Sequence, residues 1–213
     1  FAAFYGTPSA QDTVNAVIDK ALELGCTHLD TAEVYRSSFT LPPDETVWNE
    51  VQLGLALKHK PRHSFQLATK FLPSLHDNRA DATSGSAALD ASLKRLQMDF
   101  VDVYYMHRCV SKELVLEFVA SVAELVKAGK VRSIGLSECP ASWLEAALKV
   151  HHIDFIQMEW SALSRALEKN VVPVAAKNNV TIVASSPLSR NLLADPVKPA
   201  DGDWRLQNPR WSA

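Results

Sequence analysis

The sequence predicts a parallel α/β barrel of the (β/α)8 type, incomplete, with six full strands where a closed barrel has eight. Three observations carry this. Short, mostly apolar segments alternate with amphipathic helical segments, the mark of βαβ units whose sheet is covered on both faces. The repeat is roughly 30 residues, the length of one βαβ unit rather than of a solenoid turn. Polar, titratable residues (Asp30, Lys70, His107, Ser137 and Gln157) fall at the C-terminal ends of the strands, the catalytic end of such a barrel. A doubly wound open sheet is the alternative, but no G-x-G-x-x-G follows any strand, so its phosphate fingerprint is missing.

The elements follow in order. Residues 1–9 read as a loop ending at Ser9, which with Asp12 resembles a capping box for a helix over residues 10–24. Val14, Val17, Ile18, Ala21 and Leu22 recur there at helical spacing, and Gly25 stands where a C-terminal cap prefers it. A strand over 27–30 follows, then Tyr35, then a polar segment that Pro42 and Pro43 keep from being helical. The pattern continues with a helix over 45–59, a strand over 64–70, a helix over 86–96, a strand over 100–106 and a helix over 112–128. Gly129 ends that helix, and the chain goes on with a strand over 131–136, a Pro140 start to a helix over 141–151, a strand over 155–158, a helix over 168–178 and a strand over 180–184. Residues 195–213 lose all periodicity and read as loop, with Trp204 and Trp211 either a lid over the site or a patch that sits against further chain.

A chain of 213 residues, 47% hydrophobic, has room for one sizeable core, so a single domain over residues 1–213 is expected. The net charge of -2 with signs interspersed offers no basic footprint for nucleic acid. Cys26, Cys109 and Cys139 are odd in number and lack C-x-x-C spacing, which points away from a disulfide framework or a metal site and toward a reducing, cytoplasmic setting. No apolar run reaches the roughly 18 to 20 residues of a membrane span, and the first residues lack the pattern of a signal peptide. The missing initiator methionine predicts a start downstream of the true one. The oligomeric state is not legible.

Singly, the strand-end residues are ordinary: Asp30 as a turn cap, Lys70 as a solvated charge, His107 as a histidine at a core edge. Together with Tyr35 they read as one site. A phenol with its usual pKa of about 10 is a poor proton donor or base unless a nearby cation stabilises the phenolate. Lys70 can supply that cation, Asp30 can hold it oriented, and His107 can offer a hydrogen bond beside it.

Several motifs stand in order along the chain: Asp30 followed by Tyr35, Ala68-Thr69-Lys70, Tyr105-Met106-His107-Arg108, Gly129 to Glu138, Gln157-Met158-Glu159-Trp160-Ser161 and Ser186-Pro187-Leu188. In these the chain resembles the aldo-keto reductase superfamily, closest to the fungal and plant reductases related to potassium-channel β subunits. The resemblance implies a (β/α)8 barrel that binds NADPH without a Rossmann motif and reduces a small-molecule aldehyde or ketone, with Tyr35 as proton donor and Lys70, His107 and Asp30 completing a tetrad. It implies cofactor contacts from Ser137, Glu138 and Gln157 at the nicotinamide carboxamide, and from Ser186, Leu188 and Arg190 along the pyrophosphate. No metal is implied. Two departures stand out: Ser185 where the family has an aromatic ring, and an insertion between Tyr35 and Asn49-Glu50 that either moves Tyr35 or reshapes the substrate pocket. The family's first and eighth strands would lie outside this sequence, which predicts a fragment or a truncated product. The alternatives to a working reductase are an inactive truncated paralogue or a regulatory subunit that keeps the cofactor site. His28 is expected to be structural and to point outward under the helices, the His151-His152 pair to end a helix, and Trp160 to be either core or pocket wall.

Overall fold

The computed structural model describes residues 1, 7–42, 44–194 and 204–207. Six strands and six helices alternate among them: α1 (Gln11–Glu23), β1 (His28–Asp30), α2 (Asn49–Leu57), β2 (Gln66–Phe71), α3 (Ala82–Leu96) and β3 (Val101–Met106). The second half is α4 (Lys112–Lys127), β4 (Val131–Ser137), α5 (Ala141–Ala147), β5 (Phe155–Glu159), α6 (Leu167–Lys177) and β6 (Thr181–Ser185). Every strand pairs in parallel with the next, in the order β1-β2-β3-β4-β5-β6. A doubly wound sheet would reverse direction at a switch point; this one never does, so the chain forms an open arc of a (β/α)8 barrel.

The sheet curls strongly. Laid flat, β1 and β5 would stand about 19 Å apart across four strand spacings. Yet the Gln157 amide of β5 donates to Asp30 Oδ2 of β1 at 2.7 Å. Strand alternation then sorts the side chains. Leu29, Leu67, Phe71, Tyr104, Met106, Ile134, Leu136 and Ile156 join the main core against the helices, while Ala68, Val103, Tyr105 and Phe155 pack inside the arc.

Several boundaries differ from the sequence reading, each for a local reason. Ser9 does not cap α1; the residue before the helix is Ala10, and the Ser9 carbonyl instead accepts from Gln52 Nε2 at 2.6 Å. α2 begins at Asn49 because the preceding residues double back on the segment after Tyr35, with Arg36 and Trp48 forming an antiparallel bridge and Ser37 N–H donating to Val47 O at 2.9 Å. α3 begins at Ala82, before Gly85, because the Asp81 carboxylate caps it through Thr83 N (3.0 Å) and Ser84 N (2.9 Å). Gly25 and Gly129 do terminate α1 and α4, with φ of +81° and +75°. His28 corrects the expectation of an outward histidine: Leu29 takes the helix side, so the His28 ring lies within the arc, 5.9 Å from the Phe155 ring. Trp160 packs at the edge of the helix-side core, its indole N–H donating to Glu168 at 3.0 Å. The Trp211 part of the lid expectation, and the Trp204 side chain, lie outside what the structure describes. Among the described residues no helix is long and apolar enough to cross a membrane.

The interior packing sets one sharp requirement. A Cβ on Gly135 would stand 2.2 Å from Tyr105 Cδ1, because the tyrosine ring of β3 lies directly over the β4 backbone. Gly135→Ala is expected to destabilise the fold by about 1–3 kcal/mol, the usual cost of overpacking. Urea denaturation measures this, and an unchanged midpoint would mean that the ring moves aside freely.

Candidate active site

Three consecutive strands deliver the four groups. Asp30 ends β1, Lys70 lies near the end of β2, and His107 follows β3, where its N–H donates to Phe71 O at 2.7 Å. Tyr35 arrives on the loop after β1. The insertion that follows it closes on itself through the Arg36–Trp48 bridge and leaves the tyrosine at the strand ends.

The Lys70 side chain has no exposed surface, and its ammonium is satisfied by the Asp30 carboxylate and by the Thr31 carbonyl at 2.9 Å. That ammonium stands 5.0 Å from the centre of the Tyr35 ring. The Tyr35 hydroxyl is 3.5 Å from His107 Nε2, the outer limit of a hydrogen bond, with the two rings edge-on at 84°. Burial first, then the charges of Lys70 and Arg108, push the His107 pKa down to about 3. The imidazole is therefore neutral at ordinary pH and able to donate a hydrogen bond without competing as an acid. Below the tetrad, Tyr105 pairs in register with Lys70; its buried hydroxyl has no partner among the described residues, and burial and Asp30 raise its pKa.

The residues expected to meet a cofactor fall into two groups. Ser137 and Gln157 are direct neighbours across β4 and β5, and Glu138 follows with φ of +53°, a conformation unfavourable for a side-chain-bearing residue. Glu138 N–H donates to Gln157 O at 2.9 Å and its carboxylate accepts from Glu159 N at 3.0 Å, while the Gln157 amide nitrogen is engaged by Asp30. Ser186, Leu188 and Arg190 lie in the turn after β6, where Ser186, Ser189, Arg190 and Asn191 all have positive φ. Ser189 ties that turn to the loop after β5 through Ser161 Oγ at 2.8 Å. Strain of this kind persists where surrounding contacts over-determine it. Ser185 ends β6, its carbonyl accepting from Trp160 N at 3.1 Å. A cavity of about 760 Å³ opens between α5 and α6, and Glu138, Met158 and Glu159 are among its lining residues.

Sequence reasoning missed the buried polar support behind the tetrad. Glu33 is buried, accepts from Leu72 N at 2.6 Å and meets His76 Nε2 at 3.0 Å; burial raises its pKa despite both partners. Glu50 accepts from Thr69 Oγ1 and Arg95 Nε, both at 2.6 Å. One signal was available: Glu50 shares the helical stripe of Leu53 and Leu57, where an unpaired charge would be costly.

The structure is thus an α/β barrel arc whose strand ends gather a buried lysine–carboxylate pair, a phenol and a neutral histidine at the C-terminal face. The chain belongs to the aldo/keto reductase family, whose model matches residues 2–210. It is 33% identical over 223 residues to aldo-keto reductase yakc [NADP(+)] of Schizosaccharomyces pombe, covering 98% of this chain and 63% of that protein. Among solved structures it is similar to the thermostable aldo-keto reductase Tm1743 in complex with the inhibitor epalrestat, with a TM-score of 0.76 and 28% identity, over 90% of this chain and 66% of the other. It is also similar to an aldo-keto reductase of Klebsiella pneumoniae in complex with NADPH, with a TM-score of 0.74 and 26% identity, over 91% of this chain and 65% of the other. The chain thus spans less than two thirds of the length of these relatives.

The low pKa of His107 has a consequence for stability. Its native value of about 3 lies below the ordinary 6.5, so between those pH values the unfolded chain takes up a proton that the native site refuses. Stability contributed by the neutral ring is therefore full above about pH 6.5 and lost as pH falls toward 3. His107→Gln is expected to flatten the pH dependence in that window by up to about 1.4 kcal/mol per pH unit, one proton's worth. Urea midpoints measured at several pH values check this, and parallel curves for the two proteins would contradict it.

Proposed function

We propose that this chain carries the catalytic core of an NADPH-dependent reductase that converts an aldehyde or ketone to the alcohol. The observation that carries the reading is that Tyr35 meets both groups, its ring 5.0 Å from the buried Lys70 ammonium and its hydroxyl 3.5 Å from His107 Nε2. His107 Nε2–H hydrogen-bonds the carbonyl oxygen and polarises it. Tyr35 gives its proton to that oxygen as negative charge develops, and Lys70, held charged by Asp30, stabilises the phenolate left behind. The NADP(+) in the name of the Schizosaccharomyces pombe relative and the NADPH bound in the Klebsiella pneumoniae structure support the choice of cofactor.

The residues present fit such a cofactor chemically. A carboxamide needs both donors and acceptors, and Ser137, Gln157 and Glu138 offer a hydroxyl, an amide oxygen and a carboxylate on adjacent strand ends. The turn at 186–191, with Arg190, offers a cation and backbone N–H groups to a pyrophosphate. When bound, the nicotinamide supplies the hydride; the protein supplies orientation and the proton.

Titration with NADPH followed by nicotinamide fluorescence, together with turnover of a simple aldehyde, tests the reading. Saturable binding is expected in the wild type and in Tyr35→Phe, with turnover in the variant lower by about 10²- to 10⁴-fold, the usual contribution of a positioned general acid. Turnover undiminished in Tyr35→Phe, or no binding of NADPH, would overturn it.

A further inference from the structure

The first two residues of α2 bond to Tyr35 and to the threonines beside Asp30 and Lys70. Asn49 N–H donates to the Tyr35 carbonyl at 2.9 Å. The Asn49 side-chain oxygen accepts from Thr31 Oγ1 at 2.8 Å, and the Glu50 carboxylate accepts from Thr69 Oγ1 at 2.6 Å. Thr31 follows Asp30 and Thr69 precedes Lys70. Alternation sends Asp30 and Lys70 into the arc and the two threonines outward onto α2. Thr31 is doubly held, since its carbonyl is also a ligand of the Lys70 ammonium and its N–H donates to Ala68 O at 2.9 Å.

Glu50 itself has no exposed surface. Its second oxygen takes Arg95 Nε at 2.6 Å, and the Arg95 guanidinium lies 4.7 Å from the centre of the Trp48 ring. A buried ion pair is seldom kept for stability, because apolar residues of the same volume do as well or better. What it does supply is an acceptor whose two oxygens are each engaged, one by Thr69 and the other by Arg95.

We propose that Asn49 and Glu50 are positioning residues of the site: acting through Thr31 and Thr69, they fix Asp30 and Lys70 opposite Tyr35. The inference rests on the reading of Tyr35 as proton donor, and it assigns to α2 the task of keeping the ammonium aimed at the phenol. Small misplacements at a reacting centre cost rate out of proportion to their size.

Thr69→Val removes one hydroxyl at nearly constant shape and leaves Glu50 paired with Arg95. Thr31→Val cuts the second arm, through Asn49, and Thr69→Ser restores the first hydroxyl. The readouts are the ring ¹³C NMR signal of Tyr35, assigned by its loss in Tyr35→Phe, the pH profile of kcat with NADPH and an aldehyde, and the Kd for NADPH. Either valine variant is expected to displace the Tyr35 signal, lower kcat about tenfold with an altered pH profile, and leave the cofactor Kd within about twofold; Thr69→Ser is expected to keep the Tyr35 signal and kcat near wild type. A Tyr35 signal and pH profile that stay at wild type in both valine variants would overturn the proposal, whatever happens to their stability. A displaced signal in a protein that never turns over would uphold the positioning role and sink the reading of Tyr35 as acid.

Discussion

The buried ammonium of Lys70 is the constraint around which the strand ends are built. Burying a lysine charge costs several kcal/mol unless partners replace its water. Here those partners are the Asp30 carboxylate and the Thr31 carbonyl, both from the end of the neighbouring strand. Once satisfied, the charge acts on its surroundings: it faces the Tyr35 ring and helps to keep His107 neutral. A phenol, a cation and an uncharged imidazole brought together in this way fit the proposed transfer of a proton from Tyr35.

Curvature extends that site across the arc to β5. Asp30, Lys70 and His107 come from three adjacent strands and would be near one another even in a flat sheet. Gln157 would not; its bond to Asp30 exists because the sheet closes through four strand spacings. Inside the arc the tight approach of Tyr105 to Gly135 marks where ring and backbone must share one layer. The Gln157–Asp30 bond also links the strand end proposed to meet the nicotinamide with the carboxylate that holds Lys70.

Much of this was legible in the chain. Strands and helices announced themselves by period, and the helix stops at Gly25 and Gly129 were visible because only a left-handed residue ends a helix that way. Asp30, Lys70 and His107 were visible as polar residues closing apolar runs. The start of α2 was not, since residues 36–37 and 47–48 pair with each other instead of extending the helix. The start of α3 was hidden by Gly85, which looks like a breaker but sits one turn inside a helix capped by Asp81. Ser9 had the right residue type for a cap, but Gln52, far along the chain, engages its carbonyl.

The sequence by itself determined the alternation of elements, the parallel sheet and the residues whose chemistry belongs to proton transfer, because these depend on periods of two and 3.6 residues and on side-chain type. Only the tertiary structure decided that His28 lies inside the arc, that Gln157 meets Asp30, that His107 is neutral and that Glu50 is buried behind the threonines. The reason is physical. Burial and hydrogen bonding join residues far apart in the chain, and no local pattern records which of them the fold brings into contact.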